Sequence, residues 1–319
     1  DAARTEYEKI AAGYARGKSP ERRQSLAEAR ANRLKVDWKG YAPPVPRFFG
    51  LRAFDRIDLR TIAPYIDWTP FFRTWELVGT YPMILDDDKY GVTAKALFAD
   101  ARKMLTRIFD GGWLQARAVV GFWPANSVGF DDIEIYADAG RGTALATFHT
   151  LRQQMKRDDG RANLALADFV APKETGAGDY LGAFAVTTGH GEIERSRVFK
   201  QANDDYDGIL FKALADRLAE ALAEYTHERV RRELWGYARS EKLSNADLIA
   251  EKYQGIRPAP GYPAQPDHTE KATLFRVLDA TKNAGIELTE SFAMMPASSV
   301  SGLYFSHPQS VYFGLGRIE

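Results

Sequence analysis

A proline-rich segment near the end of the chain constrains its fold more than any other feature. Residues 257–271, RPAPGYPAQPDHTEK, hold four of the fifteen prolines within nine positions. Proline fixes φ and lacks a backbone donor, so the segment can enter neither a helix interior nor the middle of a sheet. We therefore predict an extended, preorganised ribbon that pairs with no strand and leaves its backbone groups free to meet a ligand.

Three residues of this ribbon suit the binding of a small zwitterion. Arg257, which we expect on an exposed loop, offers a planar fork that matches a carboxylate. Gly261 allows a ligand to approach the backbone closely, and Tyr262 supplies a ring face and a hydroxyl group. The alternative is a rigid surface loop that only packs against its neighbours.

Composition excludes several classes of protein. The 319 residues suggest one large domain or two ordinary ones. Lys plus Arg and Asp plus Glu both number 43, and this balance argues against a broad grip on nucleic acid or on an anionic membrane. The absence of cysteine excludes disulfides, thiolate nucleophiles and cysteine-ligated metals. No apolar run reaches the roughly 20 residues that span a bilayer, so a cytoplasmic protein is the simplest interpretation.

Helical spacing and cap residues predict helices before and after a β-rich middle. Residues 4–34 form two polar helices with a start at Ser19-Pro20, and the first begins without Met, which indicates a piece of a longer protein. Asp58 can cap a short helix, and Gly111-Gly112 can end the helix over 91–110. The other predicted helices are 69–77, 204–235, a short one capped by Ser244, and 269–283, which stops at Gly285.

The β-rich runs predict an antiparallel meander. They cover residues 116–128, 131–138 and 144–151, and further strands follow at 164–170 and 179–189. Residues 297–319 suggest a hairpin that turns at 307–309. Because helices and strands come in blocks instead of alternating, we expect an α+β fold and not a doubly wound parallel sheet.

Most common catalytic motifs are missing. The sequence has no Walker A loop, no G-x-G-x-x-G after a strand, no nucleophile elbow and no H-E-x-x-H, and its five histidines form no close pair. Thus we predict no catalytic residue and no metal site. His227 is expected to be packed or on the surface. The aspartates at 86–88 and 131–132 are interpreted as solvated turns, and Ser298, Ser299 and Ser301 as turn residues.

Beyond these patterns, the chain resembles the C-terminal activation module of cobalamin-dependent methionine synthases. The ribbon matches the R-x-x-x-G-Y signature of that family. Further matches are YIDWTPFFRTWEL, ALADRLAEALAEYTHERVRRELWGYA, LTESFAMMPASSVSGLYFSHP and VYF, and they extend from about Trp38 to the C-terminus. The resemblance implies a C-shaped α+β domain over residues 38–319, built around a twisted antiparallel sheet with flanking helices. Residues 1–37 would be a helical linker or arm.

The resemblance also implies a function. Such a module binds S-adenosylmethionine and presents its methyl group to reduced cobalamin on a neighbouring module, as part of a homocysteine methyltransferase. A flavodoxin-like or other donor supplies the electron, and zinc belongs to a homocysteine module that is absent here. The cobalamin motif D-x-H-x-x-G is also absent, so cobalamin would be held by the partner.

Ligand contacts follow from the matched motifs. Arg257 would meet the methionyl carboxylate and Asp67 the methionyl amino group, although Asp67 can equally cap the helix that follows it. The other implied binding residues are Glu220, Ala259, Gly261, Tyr262 and the adenosine-flanking pair Tyr312 and Phe313. Asp216 and Glu192 are implied to face the cobalamin module. From spacing alone, positions 216, 220, 224 and 227 share one helix face that solvent could cover.

Two other functions stay open at this point. A self-sufficient S-adenosylmethionine methyltransferase with its own acceptor is one, but a typical enzyme of that kind has a doubly wound fold and a glycine-rich loop. The other is an interaction scaffold, which the even charge balance permits.

Overall fold

The computed structural model describes residues 23–156 and 160–318. Its centre is a six-stranded antiparallel sheet in the order β4-β3-β2-β5-β8, in which β1 also pairs with β2. A small sheet of β6 and β7 lies apart from it. The strands are β1 Gly50–Ile57, β2 Gln115–Val128, β3 Asp132–Tyr136, β4 Ala144–His149, β5 Asp179–His190, β6 Glu287–Leu288, β7 Met294–Met295 and β8 Ser299–Tyr304.

The long strand β2 organises the sheet. Along one edge it pairs with β5 from Gln115 to Ala125. Along the other edge, β1 pairs with residues 116–122 and β3 pairs with residues 125–128. The antiparallel meander of the prediction is confirmed, whereas β1 was not predicted, because its sequence alternates poorly and most of its residues are exposed.

Helices flank this sheet, as the α+β prediction requires. The helix over 91–110 is confirmed and ends at Gly112, whose φ of 58° suits glycine. The long helix continues into a π-helical turn, Val230–Leu234. The α-helices are α1 Leu26–Ala31, α2 Leu59–Ile62, α3 Trp68–Thr74, α4 Gly91–Gly111, α5 Glu192–Gln201, α6 Asp205–Arg229, α7 Asn245–Ile249, α8 Glu270–Leu278 and α9 Ala280–Ala284.

Cap residues account for several helix boundaries. Asp58 caps α2 and Ser244 caps α7, as predicted. The helix predicted over 269–283 is interrupted at Asp279, which adopts a left-handed conformation with φ of 45°, and it stops at Gly285 as expected. The start signal at Ser19-Pro20 lies outside the described residues, and the described helix α1 is capped by Ser25. The division between residues 1–37 and 38–319 stays a prediction.

Two predicted strands are wrong. Residues 164–170 contain a 3₁₀ helix, Leu166–Phe169, because the Asp168 carboxylate accepts a hydrogen bond from Ala165 N and closes a turn. No hairpin forms within residues 297–318, the described part of the C-terminal segment. β8 already has β5 on one edge, and the ribbon occupies the other edge through Leu303 N, which donates to Pro258 O at 2.9 Å. A returning strand therefore has no free edge to join.

The sheet is buried on both faces. Alternate residues of β2 point to opposite sides: Ala118, Val120 and Phe122 pack with the helices α2–α6, and Val119 and Trp123 pack with α8 and α9. This alternation follows from the two-residue period of a strand. The result is a three-layer arrangement. No helix in the described residues is long and apolar enough to cross a membrane.

An ion-pair cluster joins the loops behind β3. Arg152 is fully buried, and its Nε lies 2.6 Å from Asp131 Oδ1 while Nη2 lies 2.8 Å from Asp168 Oδ1. Asp131 is thus a buried partner, which corrects the interpretation of residues 131–132 as a solvated turn; Asp132 does lie at the surface, beside His149. Among the described residues there is no cluster of three or more side chains that could hold a metal.

Candidate functional site

The proline ribbon lies against β8 and is not free of strand contacts. Ile256 and Phe305 exchange two backbone hydrogen bonds, and the carbonyl of Pro258 accepts one from Leu303. Gly302 makes this approach possible, because a Cβ atom there would collide with the Pro258 carbonyl oxygen. The expectation of an unpaired ribbon is therefore wrong for its first residues, which form a rigid extension of the sheet.

Two adjoining recesses open where the ribbon meets α6. The first has a volume of about 450 Å³ and the second about 400 Å³. Residues common to both walls are Glu220, Glu251, Arg257 and Tyr262. The first recess is otherwise mostly apolar, with Pro258, Ala259, Pro263, Ala264, Val300, Tyr312 and Phe313. The second is more polar, with Asp67, Arg217, Glu224 and Tyr253 among its lining residues. We call the pair the ribbon cleft.

Arg257 is held from two directions in this cleft. Its Nη2 donates to Glu224 Oε2 at 3.0 Å, and its backbone N donates to the Tyr312 hydroxyl at 2.9 Å. The side chain is only 20% exposed, which corrects the expectation of an exposed loop. Burial acts to lower the pKa of Arg257, but Glu224 and the neighbouring tyrosines raise it well above its ordinary value. The guanidinium is therefore a fixed cation.

Tyr262 lines both recesses of the cleft, as Arg257 does. Its hydroxyl donates to Glu220 Oε1 at 2.7 Å, and burial, followed by the charge of Glu220, raises the pKa of Tyr262. The phenol thus stays protonated and holds the carboxylate of Glu220 in place. Nearly half of the Tyr262 residue remains exposed, so its ring can still meet a ligand.

Asp67 caps a helix and also lines the cleft. Its Oδ1 accepts from Thr69 N at 2.9 Å and caps α3, so the capping interpretation is confirmed. The residue is partly shielded, as predicted, and lines the polar recess with Glu220 and Arg257. Capping uses only one carboxylate oxygen, and a ligand amine could therefore bind without loss of the cap.

Comparison with known proteins identifies the family of this chain. A family described as "Vitamin B12 dependent methionine synthase, activation domain" matches residues 58–319. The chain belongs to this family. It is also 53% identical to a solved structure described as "Crystal Structure of the MetH Reactivation Domain bound to AdoHcy". That similarity covers 93% of this chain and 90% of the other, with a TM-score of 0.89. The family is the activation domain of methionine synthase, which is a methyltransferase.

The activation domain brings most of the predicted binding residues together, but not all of them. Asp67, Glu220, Arg257, Ala259, Tyr262, Tyr312 and Phe313 line the ribbon cleft. Gly261 is not among the lining residues: it has a φ of 100°, and the ring of His268 lies where its Cβ would be. Gly261 is therefore needed for its backbone conformation and for the space that the His268 ring occupies. The structure does not support the predicted close approach of a ligand to its backbone.

The two predicted docking residues lie outside the cleft. Asp216 is exposed, as predicted, and its carboxylate lies 2.6 Å from Arg217 Nη2. Glu192 begins α5 and accepts a hydrogen bond from Ser298 Oγ at 2.8 Å. The docking roles of both residues stay predictions.

Sequence reasoning missed the buried part of the α6 face. Glu224 and His227 are buried and Asp216 is exposed, so the face of positions 216–227 changes from solvent to interior along the helix. Glu251 was also missed, although it lines both recesses. The spacing of four between Glu220 and Glu224 placed them on one face, but only the ribbon that covers this face makes Glu224 a partner of Arg257.

Proposed function

We propose that this activation domain binds S-adenosylmethionine in the ribbon cleft and presents its methyl group to reduced cobalamin on a neighbouring module. The observation that carries the proposal is the convergence of Arg257, Asp67, Glu220 and Tyr262 on two adjoining recesses. The related reactivation domain, described as bound to AdoHcy, supports the same class of ligand.

Charge and shape divide the ligand between the two recesses. The polar recess offers the Arg257 guanidinium to the carboxylate of the methionyl part and the carboxylates of Asp67 and Glu220 to its ammonium. The apolar recess offers Tyr312 and Phe313 to the adenosine part. The sulfonium would then lie near the shared carboxylates Glu220 and Glu251, which favour a cation.

The residues of the cleft need to position the donor and perform no proton transfer. A sulfonium methyl is already activated, and cobalamin, when present on the partner, supplies the nucleophile. The rigid ribbon and the fixed guanidinium hold the methionyl end, so the methyl group has one orientation toward the open side. This accounts for the absence of a histidine among the described lining residues.

Two measurements test the proposal against its alternatives. Calorimetric titration with S-adenosylmethionine should give saturable binding at one site, whereas an interaction scaffold would give none. Methyl transfer should then require an added cobalamin module and an electron donor, for which a flavodoxin-like protein is our candidate. A self-sufficient methyltransferase would instead act on its own acceptor without that module.

Zinc, homocysteine chemistry and cobalamin would belong to other modules of the same cytoplasmic enzyme.

Replacing Asp67 with asparagine should separate its two roles. Asparagine caps a helix about as well as aspartate, so the melting temperature should change little. Affinity for S-adenosylmethionine should fall, because the ammonium loses an anionic partner, by about 1.5–3 kcal/mol if the contact is direct. Calorimetry and thermal unfolding of the same sample measure both quantities. Wild-type affinity in this variant would leave Asp67 as a cap and nothing more.

Replacing Asp216 with alanine should affect docking and leave ligand binding unchanged. Asp216 is exposed and does not line the cleft, so affinity for S-adenosylmethionine should stay near wild type. Reductive methylation of a separate cobalamin module should become slower when the activation domain is limiting, because a charge at a docking surface mainly alters association. Asp205→Ala, on the same helix and also exposed, is the matched control. Equal reactivation rates for wild type and the Asp216 variant would exclude a docking role.

A further inference from the structure

Four charged side chains form a continuous series that ends in the ribbon cleft. Arg231 is fully buried, and its Nε and Nη2 donate to the Glu241 carboxylate at 2.8–3.0 Å. Its Nη1 lies 3.6 Å from Glu224 Oε1. The other oxygen of Glu224 accepts from Arg257 Nη2 at 3.0 Å. The charges alternate from Glu241 through Arg231 and Glu224 to Arg257, so the series is neutral as a whole.

The helix geometry produces this series. Glu224 and Arg231 are seven residues apart, which places them two turns apart on one face of α6 and its π-helical continuation. Single π-helical turns of this kind are frequent at functional sites. Arg231 also lies 4.3 Å from the centroid of the Tyr253 ring, which helps to fix its guanidinium. Arg231 and Glu241 therefore form a rigid base beneath Glu224.

Another buried polar group beside the series does not compete with Arg257 for the carboxylate of Glu224. His227 is fully buried between Glu224 and Arg231 on the same helix, and neither ring nitrogen has a hydrogen-bond partner in the part of the chain that the structure describes. Burial, and then the charges of Arg231 and Arg257, lower its pKa well below the ordinary value. The ring stays neutral and leaves Glu224 as the carboxylate in direct contact with Arg257.

We propose that Glu224 is a positioning residue for the ligand carboxylate, with Arg231 and Glu241 as its support. This role rests on the proposed function. The guanidinium of Arg257 has five donors in a fixed plane, and Glu224 engages one nitrogen from the helix side. The plane is thereby held toward the cleft before a ligand arrives. A preorganised fork loses less rotamer freedom on binding than a mobile one.

The alternative is that Glu224 opposes ligand binding. The negative charge of Glu224 could weaken the attraction of Arg257 for a second carboxylate, in which case its removal would tighten binding. Glutamine separates the two, because it keeps the length and one oxygen acceptor of glutamate but removes the charge. Glu224→Gln should therefore retain positioning, and Glu224→Ala should lose it.

The test uses calorimetry on the 319-residue chain to compare the affinities for two ligands. One is S-adenosylhomocysteine, and the other is its amine analogue, which lacks the carboxyl group. Wild type should prefer S-adenosylhomocysteine. Glu224→Ala should weaken its binding about tenfold or more and change the affinity for the analogue less than about twofold, the loss expected when one charge-assisted contact is misplaced. Glu224→Gln should restore affinity to within about threefold of wild type. Arg231→Met should add little to Glu224→Ala, because the two residues act in series.

Glu233→Gln is the matched control. This carboxylate lies on the π-helical continuation of α6 and pairs with Arg229 at 3.2 Å, and neither residue lines the cleft. It should keep the wild-type preference. Three outcomes would overturn the positioning role alone. They are a wild-type preference for S-adenosylhomocysteine in Glu224→Ala, equal losses of affinity for both ligands, and tighter binding in either Glu224 variant. A wild-type protein that binds both ligands equally would overturn the carboxylate assignment of the proposed function as well.

Discussion

Arg257→Ala is expected to weaken the binding of S-adenosylmethionine by about 2–4 kcal/mol, the usual cost of removing one side of a desolvated, charge-assisted pair. The guanidinium is mostly buried, fixed by Glu224 and directed into the cleft wall. Its loss would leave the methionyl carboxylate without a cationic partner. Calorimetric titration of wild type and variant measures the difference directly.

The alanine variant should also be less stable, because Glu224 would keep only the longer contact with Arg231. Titration must therefore be made well below the onset of unfolding, which thermal melting gives. Arg257→Lys is the informative control, since lysine retains the charge but loses the planar fork. We expect it to bind with intermediate affinity. An alanine variant with wild-type affinity would refute the assignment of Arg257 to the carboxylate.

Arg152→Met is expected to lower the free energy of unfolding by about 3–5 kcal/mol, the cost of removing one partner from a buried ion pair. Arg152 is inaccessible to solvent and contacts both Asp131 and Asp168. Its guanidinium also donates to the carbonyls of Phe130 and Asn163 at 2.8 Å and 2.7 Å. Methionine would fill the space and leave two carboxylates and two carbonyls without this donor. Urea unfolding, followed by circular dichroism, measures the change.

Arg60→Met provides the matched control for this prediction. Arg60 makes an equally short ion pair with Asp110, at 2.6 Å, but the two side chains are 56% and 65% exposed. Exposed pairs contribute little, so this variant should stay within about 0.5 kcal/mol of wild type. Similar stability for the two variants would show that burial of the Arg152 cluster has no energetic consequence.

Local signals made much of the fold predictable. Gly112 ends α4, Ser244 caps α7, and the alternation of β2 is visible in the sequence. The errors arose where distant partners decide the conformation. At the 3₁₀ helix of residues 166–169, the Asp168 carboxylate pairs with Arg152, 16 residues away in the chain. The C-terminal segment lies beside the ribbon, where Leu315 N donates to Pro263 O at 2.9 Å. Neither interaction leaves a periodic pattern in the sequence.

The candidate site was also predictable only in part from the sequence. Motif resemblance indicated Arg257, Tyr262 and Tyr312, and the structure brings them to one cleft. Burial could not be predicted in the same way. Glu224 lies 33 residues from Arg257 in the chain, and Asp131 lies 21 residues from Arg152, yet each pair meets in the interior. The charge of a side chain is visible in sequence, but the partner that offsets it is not.

The ribbon protects one edge of the central sheet from pairing with another chain. β8 is the last strand of the sheet, and an uncovered last strand is a template on which another chain can extend the sheet into an aggregate. The ribbon covers that edge, and its exposed prolines, Pro263 and Pro266, have no N–H to offer to an incoming strand. A flexible replacement of these prolines would reopen a route to intermolecular β-pairing, so protection against aggregation and the proposed binding site share the same stretch of backbone.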